Sequence, residues 1–191
     1  MTEFLTIMLS AALVNNLVLM QFLGMSSFFN SSRQFNTAVL LALFSAPVMI
    51  GTMLLHHLLN FYVLQPFDLD FLTLTGLVTI AGLLTSTLIQ LTRWLFPQQA
   101  RQQLMLLFMV GANSAVLGAA LQATQRNLEL LEVLALSCGS ALGFSLILLA
   151  FAAIRERLAL LDVPIPFRGL AIELISAGLA AMALLGFAGV V

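Results

Sequence analysis

The chain has 191 residues, 61% of them hydrophobic and only 8% charged, with a mean hydropathy of +1.09. A soluble domain carries about 25% charged residues because its surface must be hydrated, so lipid is the expected solvent for most of this surface. All seven basic residues are Arg, too few for the dense cationic face that nucleic acid requires, and the single Cys138 excludes an internal disulfide or a CxxC redox or metal motif.

A bilayer core of about 30 Å is crossed by roughly 20 helical residues rising about 1.5 Å each. The start, Met1-Thr2-Glu3-Phe4, lacks the basic region of a cleaved signal peptide. The first apolar stretch, Phe4 to Leu23, is therefore expected to be retained as a span. Thr37 to His56, Phe71 to Thr92, Gln103 to Gln122, Leu131 to Ala153 and Gly169 to Val191 follow. Between them lie Asn30-Ser31-Ser32-Arg33, a stretch with Pro66 and Asp68, Pro97-Gln98-Gln99, Gln125-Arg126-Asn127 and Asp162-Val163-Pro164, all turn or interface signals. Residues 1–191 read as one polytopic membrane domain, all-α, with six transmembrane helices.

Inside the first span, Asn15-Asn16-Leu17-Val18-Leu19 sets a polar pair before Val-Leu; inside the fourth, Asn113-Ser114-Ala115-Val116-Leu117 repeats that order. Gly24 follows the first and Gly118 the second. Three spans separate the two, so the halves would face oppositely, as two inverted three-helix repeats. Such repeats, interrupted at matching places, mark the working centre of many transporter folds. Asn15, Asn16 and Asn113 then either make ordinary interhelical hydrogen bonds or satisfy backbone groups where spans one and four break into half-helices, which only a protein-lined setting tolerates.

In the second span Pro47 predicts a kink, and His56 and His57 at its end read as a hydrated interfacial pair, since neighbouring helix positions diverge. Asp68 and Asp70 could line an ion entrance or be solvated loop acids. The fifth span carries Ser137-Cys138-Gly139-Ser140-Ala141-Leu142-Gly143, where Gly139 and Gly143 have the GxxxG spacing of a packing face. Glu173, about one turn into the sixth span and one turn from Arg168, either belongs to an ion path or snorkels or pairs with a loop Arg.

With the N-terminus outside, the cytoplasmic loops hold Arg33, Arg93, Arg101, Arg155, Arg157 and Arg168, while the outer loops hold Arg126 with Glu3, Asp68, Asp70, Glu129 and Glu132. Arg excess in short inner loops fixes orientation. Both termini are expected outside, which in a bacterium is the periplasm.

Val14-Asn15-Asn16-Leu17-Val18-Leu19 with Phe22-Leu23-Gly24, then Phe151-Ala152-Ala153-Ile154-Arg155-Glu156-Arg157-Leu158 and Asp162-Val163-Pro164-Ile165-Pro166-Phe167-Arg168-Gly169, resemble the RnfA/NqrE membrane-subunit family, the RnfA branch more than NqrE. The resemblance runs from about residue 3 to the end. It implies a six-helix subunit with half-helices in spans one and four, paired with an opposite-topology homologue resembling RnfE. A 2Fe-2S centre at their interface would take two Cys from each partner, in a bacterial inner-membrane complex coupling electron transfer of the ferredoxin/NAD class to ion translocation.

The positions matching those two cysteines are Ser26 and Ser114. Iron–sulfur centres are held by thiolates, and a serine hydroxyl ionises far less readily. No cofactor is therefore expected in this chain alone, Ser26 and Ser114 are expected to be non-ligating, and a cluster completed by the partner is the alternative. Two other functions fit the same residues: a small inverted-repeat secondary transporter, or a redox-inactive structural subunit. No catalytic residue and no complete active site are expected here.

Overall fold

The computed structural model describes residues 2–95, 106, 108–126, 128–162 and 164–188. The expected Pro97-Gln98-Gln99 turn, Arg101, the start of the fourth span at Gln103, Asn127, Val163 and the end of the sixth span lie outside them. The helices are α1 (Thr2–Leu9), α2 (Met25–Ser31), α3 (Phe35–Leu59), α4 (Thr73–Leu95), α5 (Ser114–Gln125), α6 (Leu130–Leu158) and α7 (Leu170–Leu185), and no strand occurs among the described residues.

Among the described residues, three helical runs are long and apolar enough to cross a membrane: Phe35–Phe67, Asp70–Leu95 and Leu130–Leu158. The first exceeds the expected span, because α3 passes through Pro47 and continues as a π turn at Asn60–Leu64 and a 3-10 turn at Gln65–Phe67. Glu3–Val14 and Leu170–Leu185 are shorter apolar helices. The first stretch is not one helix. It stops after Val14 and resumes at Met25, so Asn30 and Ser31, expected in a loop, close α2 instead.

At the centre α3 packs most extensively on α6, with α4 and α5 also against α3, and α1 against α6. Leu41, Met49 and Met53 of α3 meet Phe144, Leu148 and Phe151 of α6 and Val116, Ala119 and Ala120 of α5 in one buried cluster. Lipid is as apolar as leucine, so packing here depends on close backbone approach rather than on escape from water. The Gly139/Gly143 pair supplies it. A Cβ on Gly143 would lie 2.6 Å from the Ala12 carbonyl oxygen, so the turn that ends the first helix rests directly on α6. On the outside, α4 exposes Leu74, Val78, Leu83 and Leu91, and α7 exposes Leu174, Leu179 and Met182, as a lipid-facing surface allows.

Helix α4 runs antiparallel to α3, with Gly51 against Leu84 and Gly76 against Leu59. A capping box of Glu129 and Glu132 starts α6, so two acids counted as outer loop charges serve a helix N-terminus. At the opposite end of the bundle Arg33, Arg155 and Arg168 line one cavity of about 680 Å³.

Candidate functional site

The candidate site is where two helices stop inside the bundle. Helix α1 widens into a π turn at Ser10–Val14, and residues 15–24 carry no regular helix. Backbone groups freed inside an apolar bundle must find partners. Asn16, fully buried, provides them: its Nδ2 donates to the Ala12 carbonyl at 2.9 Å, and its Oδ1 accepts from the Val18 N–H at 3.1 Å and the Leu19 N–H at 3.4 Å. Asn15 turns the other way, exposed, its Nδ2 donating to Ser10 Oγ at 3.0 Å. The chain then passes Phe22 at φ +56° and Gly24 at φ +75° before α2 begins. A bulky residue in the left-handed region costs about 1–2 kcal/mol, so strain is held at this break.

The second break matches it. A helical segment at 108–111 ends, and buried Asn113 restarts the chain as the N-cap of α5, accepting the Ala115 N–H at 3.0 Å. Side-chain capping of this kind satisfies an orphan N–H at a helix start. The two breaks touch. The Gly24 N–H donates to Ser114 Oγ at 2.8 Å, a Cβ on Gly24 would sit 2.7 Å from Asn113 Oδ1, and Leu23 packs onto Gly118. Phe144 of α6 closes the junction from a third side.

Ser26 and Ser114 thus lie in the first turns of α2 and α5, on either side of this contact, both exposed. Neither offers the thiolate that an iron–sulfur centre normally takes. Both offer hydroxyls, and Ser114 Oγ already serves as acceptor for Gly24. Cys138 lies six residues before Phe144 on α6, about 9 Å along the helix, beside Gly139 and its contact with Met8.

Helix α2 is locked at its other end. Phe28 and Phe29 stack on Phe151 at centroid distances of 4.9 and 5.9 Å. One turn further, Arg155 donates to the Phe29 carbonyl and to Ser32 Oγ, each at 2.7 Å, and pairs with Glu173 of α7. The Arg that pairs with Glu173 is Arg155, from the end of the preceding helix, while Arg168 pairs with Asp162 at 3.0 Å. Along the chain Arg155 counts only as a cytoplasmic loop charge. Its position one turn after Phe151, on the buried face of α6, was the available signal.

His56 and His57 part company. His57 lines a cavity of about 600 Å³ with Asn60, Tyr62, Gln65, Thr124 and Glu129. His56 was expected at a hydrated helix end; because α3 runs on past it, the ring is 1% exposed, with neither nitrogen hydrogen-bonded among the described residues. Asp68 and Asp70 are exposed in the connection before α4, with Asp68 at φ +51°.

Interrupted helices whose caps meet inside an otherwise apolar all-helical bundle define a polytopic membrane protein built around a broken centre. A family model described as Rnf-Nqr subunit, membrane protein, matches residues 4–191. The chain is 41% identical over 192 residues to an ion-translocating oxidoreductase complex subunit of Pseudomonas aeruginosa (strain LESB58), covering 100% of this chain and 99% of the relative. It is 40% identical to the protein of the same name from Azotobacter vinelandii and 37% identical to that of Pseudoalteromonas translucida, with the same coverage of both chains. The chain belongs to the Rnf-Nqr family of membrane subunits.

Proposed function

We propose that this chain is the RnfA-like membrane subunit of an Rnf-type complex, coupling electron transfer of the ferredoxin/NAD class to ion movement across the bacterial inner membrane. It carries no iron–sulfur centre of its own. The carrying observation is the junction at Gly24–Ser114, where two helix breaks meet in a chain whose full-length relatives are named as subunits of an ion-translocating oxidoreductase complex. Six crossings in two inverted three-helix repeats account for two breaks of the same kind, each with a buried Asn cap. A cytoplasmic arginine end and periplasmic termini are supported by Arg33, Arg155 and Arg168 sharing one cavity. The partner is an opposite-topology homologue resembling RnfE, and together they form the centre.

In this reading Asn15, Asn16 and Asn113 maintain the broken backbone, and Ser26 and Ser114 occupy the family's ligand positions without ligating. The pairing of Glu173 with Arg155 favours a positioning role for that carboxylate over a place on the ion path. Iron analysis and low-temperature electron spin resonance on the purified complex test the proposal. The expected result is no cluster signal that depends on Ser26 or Ser114. A mid-membrane 2Fe-2S signal lost on Ser26→Ala overturns the assignment of these serines, and reporter tags placing the termini on opposite faces overturn the topology.

A further inference from the structure

Buried polar groups in native proteins almost always have a hydrogen-bond partner, from protein or from ordered water. Three residues of α3 break that rule in line. Ser45 Oγ, Thr52 Oγ1 and both His56 ring nitrogens are buried, and no described protein group hydrogen-bonds to them. At about 100° per residue, positions 45, 52 and 56 fall within roughly 40° of one another around the helix, spread over about 16 Å of its length. One turn beyond His56, Asn60 lines the cavity of about 600 Å³ at the bundle end. Helix α5 leaves the same cavity from Ala123 and Thr124 in the same direction as α3. Ten residues back along it stands Asn113, whose Nδ2 is likewise buried and unpartnered. At about 1.5 Å per residue Asn113 lies about 15 Å in from Ala123, between the depths of Thr52 (about 12 Å) and Ser45 (about 22 Å) measured from Asn60, so the polar track runs past the depth of the helix breaks.

We infer that Asn60, His56, Thr52 and Ser45 form a hydrated half-channel that carries protons between the Glu129 cavity and the junction of the broken helices. An imidazole can take a proton at one ring nitrogen and release one from the other, with water on either side as donor and acceptor. A metal or alkali cation would need several oxygen ligands converging on one point, whereas Ser45, Thr52 and Asn60 are strung out along α3 over about 22 Å. Apart from Cys138, about two turns into α6, the charged and titratable groups on the elements around α3 lie at its two ends. Arg126, Glu129 and Glu132, with Cys138 and the neighbouring His57 and Tyr62, are on the cavity side, and Arg93, Arg155, Glu156 and Arg157 are on the other. His56 is therefore the titratable group inside the track. The inference deepens the reading of this chain as part of an ion-translocating complex and rests on it.

The test uses the chain in its assembled complex in lipid vesicles, with Cys138→Ala to remove the native thiol. Thr52→Cys and Ser45→Cys are made singly, with Leu43→Cys, 64% exposed on the apolar side of α3, as the lipid-facing reference. The probe is a small cationic methanethiosulfonate, which reacts with thiolate in contact with water. Thiols on the track are expected to react about tenfold or more faster than the lipid-facing one, and to lose that advantage when His56→Phe fills the track with an apolar ring. Equal rates at all three positions overturn the inference. Nitrogen-15 resonance of the His56 ring, made unambiguous by His57→Gln, provides a readout without any change in the track. The ring is expected to change protonation as pH is varied over the range in which the complex stays assembled, and an invariant neutral imidazole overturns the inference even where a cysteine variant fails to assemble. Electron transfer by the unmodified complex is measured alongside. Its absence counts against the proposed function and leaves the labelling pattern to decide the track.

Discussion

Removing the carboxylate of Glu173 leaves the Arg155 guanidinium mostly buried without its counter-charge. Breaking a buried pair by deleting one partner costs about 3–5 kcal/mol. Here the side chains are 13% and 15% exposed, and Arg155 keeps its bonds to the Phe29 carbonyl and Ser32 Oγ. Those contacts and partial solvent access reduce the expected cost of Glu173→Ala to about 2–3 kcal/mol, and of Glu173→Gln, which retains an acceptor, to about 1–2 kcal/mol. The pair tethers α7 to the end of α2 through α6, so Arg155→Met should cost at least as much as Glu173→Ala. The double variant should be less damaging than the sum, with a coupling of about 1.5–2 kcal/mol, as expected for residues in one network. Helicity followed through unfolding of the detergent-solubilised chain by increasing SDS fraction gives all four corners of the cycle. A coupling below about 0.5 kcal/mol, the range expected of independent sites, would refute the latch.

Gly143→Val should prevent stable assembly, because its Cβ alone would meet Ala12 at 2.6 Å and Asn16 Nδ2 at 2.8 Å, whereas Gly178→Ala, with open space around it, should leave the unfolding midpoint unchanged. Asn16→Leu removes the acceptor of the Val18 and Leu19 N–H groups and should destabilise by about 1–3 kcal/mol, measured by the same unfolding series. Ser114→Ala orphans the Gly24 N–H and should cost a similar about 1–3 kcal/mol. Ser26→Ala, in the same turn region and without that role, should be close to neutral in the same assay.

Much of this protein was open to reading along the chain because lipid imposes a simple rule: long apolar stretches become helices. The spans now seen as α4 and α6 lie within a few residues of their expected limits, and the GxxxG face of α6 packs as its small side chains require. The paired Asn positions marked where helices could break, since amides are what freed backbone groups need. Local pattern could not fix the end of α3. His56 and Asn60 look like a polar terminus until tertiary packing carries the helix past them and buries the imidazole. Nor could it find Arg155, which as a residue of an Arg-Glu-Arg run reads as a loop charge and acquires its partners only when α2 and α7 are brought against α6. Composition and hydropathy determined that this chain is a bundle of helices in lipid, because those depend on each residue's own solvation. Which breaks touch, which charges pair and which polar groups are left without partners depend on residues up to about 120 positions apart meeting in space, and the fold alone decides that.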